Sequence, residues 1–171
     1  MPDYCFTCAT ALGWLAIVAS AEGLLSLSWP AESAYAAVTS LGPLGAAASP
    51  SEPGADWQGL LDRLQAYFAG ERVAFDREPI DWRGVPPFRR RVWAAVQSIP
   101  WGVTRSYGQV AAALGAPRAA RAVGGAMAAN RLPIIVPCHR VLGADGRLVG
   151  FAAGLSMKAR LLSLEGVSPN L

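Results

Sequence analysis

The sequence predicts a chain of two parts, an α/β N-terminal half (residues 1–82) and a mainly α-helical C-terminal half with a helix-turn-helix (residues 83–171). Three observations carry this reading. Charge reverses along the chain: residues 1–82 hold ten acids and three arginines, whereas residues 83–171 hold two acids and twelve bases. The reversal coincides with Glu78–Pro87, which has three prolines and a glycine and reads as a linker. Strand-like apolar runs lie before this linker, and helical stripes dominate after it. With 171 residues, 53% of them hydrophobic, the chain can bury a real core and is unlike a disordered one.

In the first half, Ala11–Ser20 and Leu24–Trp29 are apolar runs joined at Ala21-Glu22-Gly23, the pattern of a hairpin. Residues 40–55 are rich in Gly, Pro, Ser and Ala and read as a loop. Trp57, Leu60, Leu61, Leu64 and Phe68 form a helical stripe over Asp56–Phe68, with Gly70 as its stop. Arg72–Phe75 reads as a short strand.

In the second half, Phe88, Val92, Trp93, Val96 and Ile99 mark one face of a helix that Pro100-Trp101-Gly102 ends. Arg89, Arg90 and Arg91 sit at its start, against the helix dipole, and suit either a solvated cap or phosphate contact. Ser106 and Gln109 have capping-box spacing and open a helix through Leu114. Gly115-Ala116-Pro117 turns the chain, with Pro117 placed to start a helix over about Arg118–Ala129. That second helix offers little side-chain chemistry for reading base edges in a major groove. Its small residues would let the backbone approach a minor groove closely, with Arg121 projecting as a wedge between Ala120 and Ala122. Close helix packing explains the same composition. The final helix runs from Ser156, as N-cap, to about Leu164, and Glu165 sits at its C-terminus, where a carboxylate needs a partner or solvent.

The chemistry centres on Pro133-Ile134-Ile135-Val136-Pro137-Cys138-His139-Arg140-Val141. The β-branched run reads as a strand entering a proline-fixed corner, followed by a thiol and the only histidine. A thiol of pKa near ~8.5 is a nucleophile only when something lowers that value or takes its proton. His139 is the nearest base, with a bridging water if adjacent side chains diverge. Glu165 is a candidate to hold the imidazole, giving a Glu–His–Cys relay.

Cys5 and Cys8 form a CxxC with no second pair to complete a zinc site. The first positive side chain is Arg63, so a secretory n-region is absent, and Ala9–Ala19 is too short to span a bilayer. These features predict a cytoplasmic protein without a membrane segment. The basic second half predicts a polyanionic partner. Lys158 is the only lysine; the excess of arginine suits phosphate but equally reflects genome composition.

Ile99-Pro100-Trp101-Gly102, Ser106-Tyr107-Gly108, Ala119-Ala120-Arg121-Ala122-Val123-Gly124, Asn130, Pro137-Cys138-His139-Arg140-Val141 and Leu161-Leu162…Glu165-Gly166 together resemble the 6-O-alkylguanine-DNA alkyltransferases, also called methylated-DNA–protein-cysteine methyltransferases. The match is clear over residues 86–167 and weaker over the first half. The resemblance implies a ribonuclease-H-like sheet in the N-terminal domain and a winged-helix-like C-terminal domain. It implies binding to double-stranded DNA containing alkylated guanine, by a monomer, with cooperative assembly left open.

It further implies that the helix-turn-helix enters the minor groove and that Arg121 replaces a flipped base, with Ala120, Ala122, Arg118 and Ser106 contacting DNA. Cys138 would attack the alkyl carbon on guanine O6, or that of 4-O-methylthymine. His139 would take the thiol proton, Glu165 would orient His139, and Tyr107 would serve guanine N3. Met127, Pro133, Val141, Phe151 and Ala152 would line the base pocket, and Asn130 would brace the turn. The implied transfer is irreversible and needs no metal or organic cofactor. Three departures stand out: Arg131 where proline is frequent, Phe151 where tyrosine is common, and Ala152-Ala153 where Ser-Gly is common. The methyl added by alanine in place of glycine predicts poorer handling of bulky alkyl groups than of methyl.

Other functions fit less of the sequence. A lesion-recognition protein without transfer has no use for Cys138. A cysteine hydrolase leaves the basic helix pair unexplained, and a sequence-specific transcription factor would need a recognition helix richer in polar side chains.

Overall fold

The computed structural model describes residues 3–168. They form two compact units. The first runs to Val73 and includes Arg77–Arg83 and Arg131–Pro133; the second takes Ala74–Asp76, Gly84–Asn130 and the chain from Ile134 onward.

The first unit is built on strands β1 (Tyr4–Thr10), β2 (Gly13–Ser20), β3 (Gly23–Leu27) and β4 (Ser49–Pro50), in the order β3-β2-β1-β4. The first three pair antiparallel, and β4 runs parallel to β1. The expected hairpin is β2–β3. Its partner β1 was not anticipated, because Thr7 and Thr10 interrupt its apolar run. What reads as one strand from Ala11 begins only at Gly13, after a turn in which Thr10 Oγ1 donates to the Gly13 carbonyl (2.7 Å). Leu15–Ala19 are fully buried, so β2 is the centre of this core.

Helices α1 (Ala34–Ser40), α2 (Pro43–Ala47) and α3 (Ala55–Phe68) complete the unit. Residues 40–55, expected as a loop, contain α2 and β4. Ser33 caps α1 through its hydroxyl, which accepts from Ala36 N (3.1 Å), a cap the sequence reading passed over. Helix α3 matches the apolar stripe and buries Leu60, Leu61, Leu64 and Phe68. Arg72–Phe75 forms no strand.

The outer edge of β3 is covered within the unit. Leu24 N donates to Pro79 O (2.9 Å), Asp81 N to Leu24 O (2.9 Å) and Leu27 N to Arg131 O (2.8 Å). This leaves less of the edge available for pairing with another chain. Gly23 is required there: at φ +143° any Cβ would lie 2.6 Å from the Pro79 oxygen. Arg131 Nη2 donates to the carbonyls of Asp81 (2.9 Å) and Arg83 (3.0 Å). The departure from proline at this position therefore gives the loop a side-chain anchor.

In the second unit, α4 (Pro87–Gln97), α5 (Tyr107–Ala113) and α6 (Ala120–Ala128) pack on one another. Helix α4 buries Val92, Trp93 and Val96, and Trp93 Nε1 donates to Ala126 O in α6 (2.9 Å). The Ser106–Gln109 capping box forms as expected: Gln109 N donates to Ser106 Oγ (3.1 Å) and Ser106 N to Gln109 Oε1 (2.8 Å). Pro117 lies in the turn and does not start the second helix, which begins at Ala120. Two short parallel strands, β5 (Arg105–Ser106) and β6 (Val141–Leu142), bring the start of α5 beside the segment that follows Cys138. Helix α7 (Leu155–Leu164) packs against the Cys138 turn; its N-cap is Gly154, and Ser156 lies inside the first turn without capping it.

Candidate active site

Cys138 does not leave a strand. The β-branched run before it is a series of buried turns, and Cys138–Arg140 is one turn of 3-10 helix. Pro137 makes the corner as an inverse γ-turn (φ −75°, ψ 68°), closed by Cys138 N donating to Val136 O (2.7 Å). Arg140 N then donates to Pro137 O (2.9 Å). Ile134, a β-branched residue, sits at φ +71°, a conformation that costs on the order of 1–3 kcal/mol. Its side chain is 2% exposed, so burial holds the strained backbone in place.

Glu165 is buried and ringed by donors. Its Oε1 lies 2.7 Å from His139 Nε2 and accepts from Arg140 Nη2 (2.9 Å); its Oε2 accepts from Arg140 Nε (2.9 Å) and Gly102 N (3.3 Å). Burial alone would raise its pKa, but the hydrogen bonds from His139 and Arg140 win and hold it down at about 2. An ionised carboxylate has no proton to give, so Nε2 must carry the hydrogen when His139 is neutral. The basic lone pair then sits on Nδ1. Burial lowers the His139 pKa despite the opposing pull of Glu165.

Cys138 is buried, and burial raises its thiol pKa. A hydrogen bond from Asn130, the Lys158 charge and nearby backbone N–H groups act the other way. Asn130 Nδ2 also donates to Val136 O (2.9 Å), so one amide braces the turn and reaches the sulfur. Asn130 is therefore more than the structural brace expected from the sequence.

The remaining expected residues divide by position. Tyr107 is half-buried at the start of α5, with its ring against Gly124 of α6, and burial and the nearby Cys138 raise its pKa. Met127 and Val141 are buried. Phe151 is half-buried, but Ala152 is exposed. Pro133 is buried within the segment that belongs to the first unit. On the helix pair, Arg118, Arg121 and Ala122 are exposed, Ala120 is half-buried, and Ser106 is engaged as the cap of α5.

Two functional candidates escaped the sequence reading. Arg140 is one, engaging Glu165 through two nitrogens while Nη1 donates to Ile99 O. Lys158 is the other. It is fully buried, and its ammonium donates to Val141 O (2.6 Å) and Val149 O (3.2 Å). It lies 5.4 Å from the Phe151 ring centre and 6.0 Å from that of Tyr107. Burial lowers its pKa to about 8. Its position as the only lysine was the available signal.

Cys5 and Cys8 are buried free thiols. Three residues apart on β1, they point to opposite faces of the sheet. Burial raises the pKa of both, that of Cys8 to about 11, which disfavours the thiolate form a nucleophile needs. Among the described residues no group of three or more His, Cys, Asp or Glu is placed to hold a metal ion, and no helix is long and apolar enough to cross a membrane.

Both halves of the chain match known families of sequence. Residues 4–82 match the family described as "6-O-methylguanine DNA methyltransferase, ribonuclease-like domain", and residues 87–167 match "6-O-methylguanine DNA methyltransferase, DNA binding domain". A methylated-DNA–protein-cysteine methyltransferase of Mycobacterium bovis is 54% identical over 114 residues, covering 67% of each chain. The constitutive enzyme of that name from Bacillus subtilis is 50% identical over 107 residues, covering 62% of this chain and 64% of its own. The structure of Mycobacterium tuberculosis OGT in complex with DNA superposes with a TM-score of 0.78 at 42% identity, covering 97% of this chain and 95% of that one.

Proposed function

The chain belongs to the 6-O-methylguanine DNA methyltransferase family, and from that premise we propose that it repairs DNA by moving the alkyl group of 6-O-methylguanine onto its own Cys138 in a single, irreversible event. The activity is that of a methylated-DNA–protein-cysteine methyltransferase acting on double-stranded DNA. The observation that carries the reading is the His139–Glu165 contact, which presents a neutral, oriented imidazole one residue from a buried thiol.

In the resting site the thiol and the imidazole are both neutral, because burial disfavours charge on each. His139 Nδ1 takes the thiol proton through solvent, and the resulting imidazolium is stabilised by Glu165. The Cys138 sulfur attacks the alkyl carbon in line. A sulfur–carbon bond forms as the carbon–O6 bond breaks, and the electron pair leaves with the guanine. Tyr107 hydrogen-bonds or protonates guanine N3 as that charge develops. Lys158 and Asn130 favour the thiolate over the thiol. The products are guanine and a thioether, and a thioether offers no hydrolytic route back to the thiol.

The DNA face of this reading is the α5–α6 pair. Exposed Arg118 and Arg121 meet the phosphate backbone and the base stack, and the small exposed side chains of α6 allow close approach to a minor groove. Arg121 fills the gap left by a base flipped toward Cys138, a step costing a few kcal/mol and less for a badly paired lesion. 4-O-methylthymine presents the same alkyl–oxygen bond and is a second substrate to test. The protein acts as a monomer on this reading, in the cytoplasm.

The test is intact-protein mass spectrometry after mixing with duplex DNA carrying one 6-O-methylguanine, followed by peptide mapping. A gain of one methylene on the Cys138 peptide, saturating at one equivalent, is expected in the wild type and absent in Cys138→Ala. Lesion-dependent binding without any mass gain would instead identify a recognition protein.

A further inference from the structure

Glu165 presents an apparent difficulty for a base at position 139. A buried carboxylate 2.7 Å from an imidazole nitrogen favours the imidazolium, and an imidazole already protonated cannot take the thiol proton. The same carboxylate is also met by the Arg140 guanidinium. Nε reaches Oε2 and Nη2 reaches Oε1, both at 2.9 Å, in the two-pronged geometry that matches guanidinium to carboxylate. Nη1 is spent on the Ile99 carbonyl, so the guanidinium is fixed on two sides. Arg140 is 6% exposed and Glu165 4%, so little solvent screens the pair.

We propose that Arg140 is a positioning residue for the transfer: it holds Glu165 as an already paired carboxylate, so that Glu165 orients His139 without protonating it at rest. The proposal rests on His139 serving as the base for Cys138. The groups facing His139 are Glu165 and Lys158 from α7 and its end, and Arg140 from its own turn. Burial opposes the imidazolium most; among the charges, Arg140 and Lys158 add to that opposition and Glu165 alone supports it. When the thiol proton arrives during reaction, the emerging thiolate adds the negative charge that tips this balance.

The chain contains one histidine, so the imidazole nitrogens give a single titration curve by NMR. In the wild type the midpoint lies below the ordinary value of about 6.5. In Arg140→Gln it is expected to rise by about one pH unit, and Cys138 alkylation by free benzylguanine to fall roughly three- to sevenfold at pH 6 while staying close to wild type at pH 8. Arg140→Lys keeps the charge and is expected to keep the wild-type midpoint. An unchanged midpoint in folded Arg140→Gln, or equal slowing at every pH, overturns the proposal.

Should Arg140→Gln fail to fold, the comparison moves to Glu165→Gln against the double variant Arg140→Gln/Glu165→Gln, in which no buried carboxylate is stranded. The double variant is expected to titrate higher than Glu165→Gln, and identical curves overturn the proposal. A wild-type protein that gains no alkyl group on Cys138 would overturn the transfer reading itself, a result separate from either titration.

Discussion

His139 Nε2 and Glu165 Oε1 lie 2.7 Å apart across 26 residues of sequence, and this contact fixes which imidazole nitrogen is basic. Glu165→Gln keeps the shape but lets the amide either donate or accept, so the required tautomer is no longer enforced. The expected result is a fall of roughly 10²–10⁴ in the single-turnover transfer rate, the range set by comparable loss of an orienting carboxylate. Lesion binding should be unaffected. A variant within threefold of wild type would show that the tautomer is held by other means.

Glu165 also ties stability to acid pH. Its folded pKa, about 2, lies below the unfolded value, so its contribution is fully present above the unfolded pKa, near ~4.3. It is lost as pH falls from there through about 2. The loss should reach on the order of 2–3 kcal/mol. Denaturant unfolding between pH 5 and pH 2 measures it. In Glu165→Gln the slope over this interval should be shallower than in the wild type.

The parts of this molecule that were legible in sequence are those whose cause is local. Ser106 and Gln109 announce their cap because three residues and a helix start suffice to make it. The α3 stripe and the β2–β3 hairpin follow from periodicity. Glu165 was legible as a misfit, a carboxylate at the wrong end of a helix. Arg140 and Lys158 were not, because their roles come from burial and from backbone carbonyls that only the fold supplies. The Ile134–Val136 run misled for a related reason: β-branched residues favour strands in general, but here Pro137 and the packing around Ile134 impose turns. Strand β1 escaped because Thr7 and Thr10 break its apolar run, and the pairing with β2 that makes it a strand leaves no local pattern.

Lys158→Met tests the loop that follows the active-site turn. The ammonium donates to both Val141 O and Val149 O, so methionine leaves two carbonyls to find other partners. Each costs about 1–3 kcal/mol if left unsatisfied. Residues 149–154 should then exchange their amide hydrogens faster, by at least tenfold, and alkyl transfer should slow as Phe151 loses its placement. Unchanged exchange in this loop would remove Lys158 as its anchor.

Bulky lesions probe the same loop. Ala153 is half-buried whereas Ala152 is exposed, so the added methyl at 153 is the one expected to narrow the site. Benzylguanine should react more slowly than 6-O-methylguanine in matched DNA, and Ala153→Gly should shrink the ratio. Equal rates for both lesions in the wild type would count against any steric limit here.

Arg121 separates DNA handling from chemistry. It is exposed on α6, in the second unit's helix pair, with Ala120 and Ala122 beside it. A wedge that fills a vacated base position matters only when a base has been vacated. Arg121→Ala should therefore slow repair of 6-O-methylguanine in duplex DNA by about tenfold or more, the cost of roughly 1.4 kcal/mol in holding the flipped state. Reaction with free benzylguanine should stay within twofold of wild type, since no stack is opened. Binding to undamaged duplex and its salt dependence should stay close to wild type, because the wedge role assigns Arg121 to the vacated stack and not to a phosphate. Equal loss on duplex and free base would mean that Arg121 acts through the fold of α6, and the wedge role would be withdrawn.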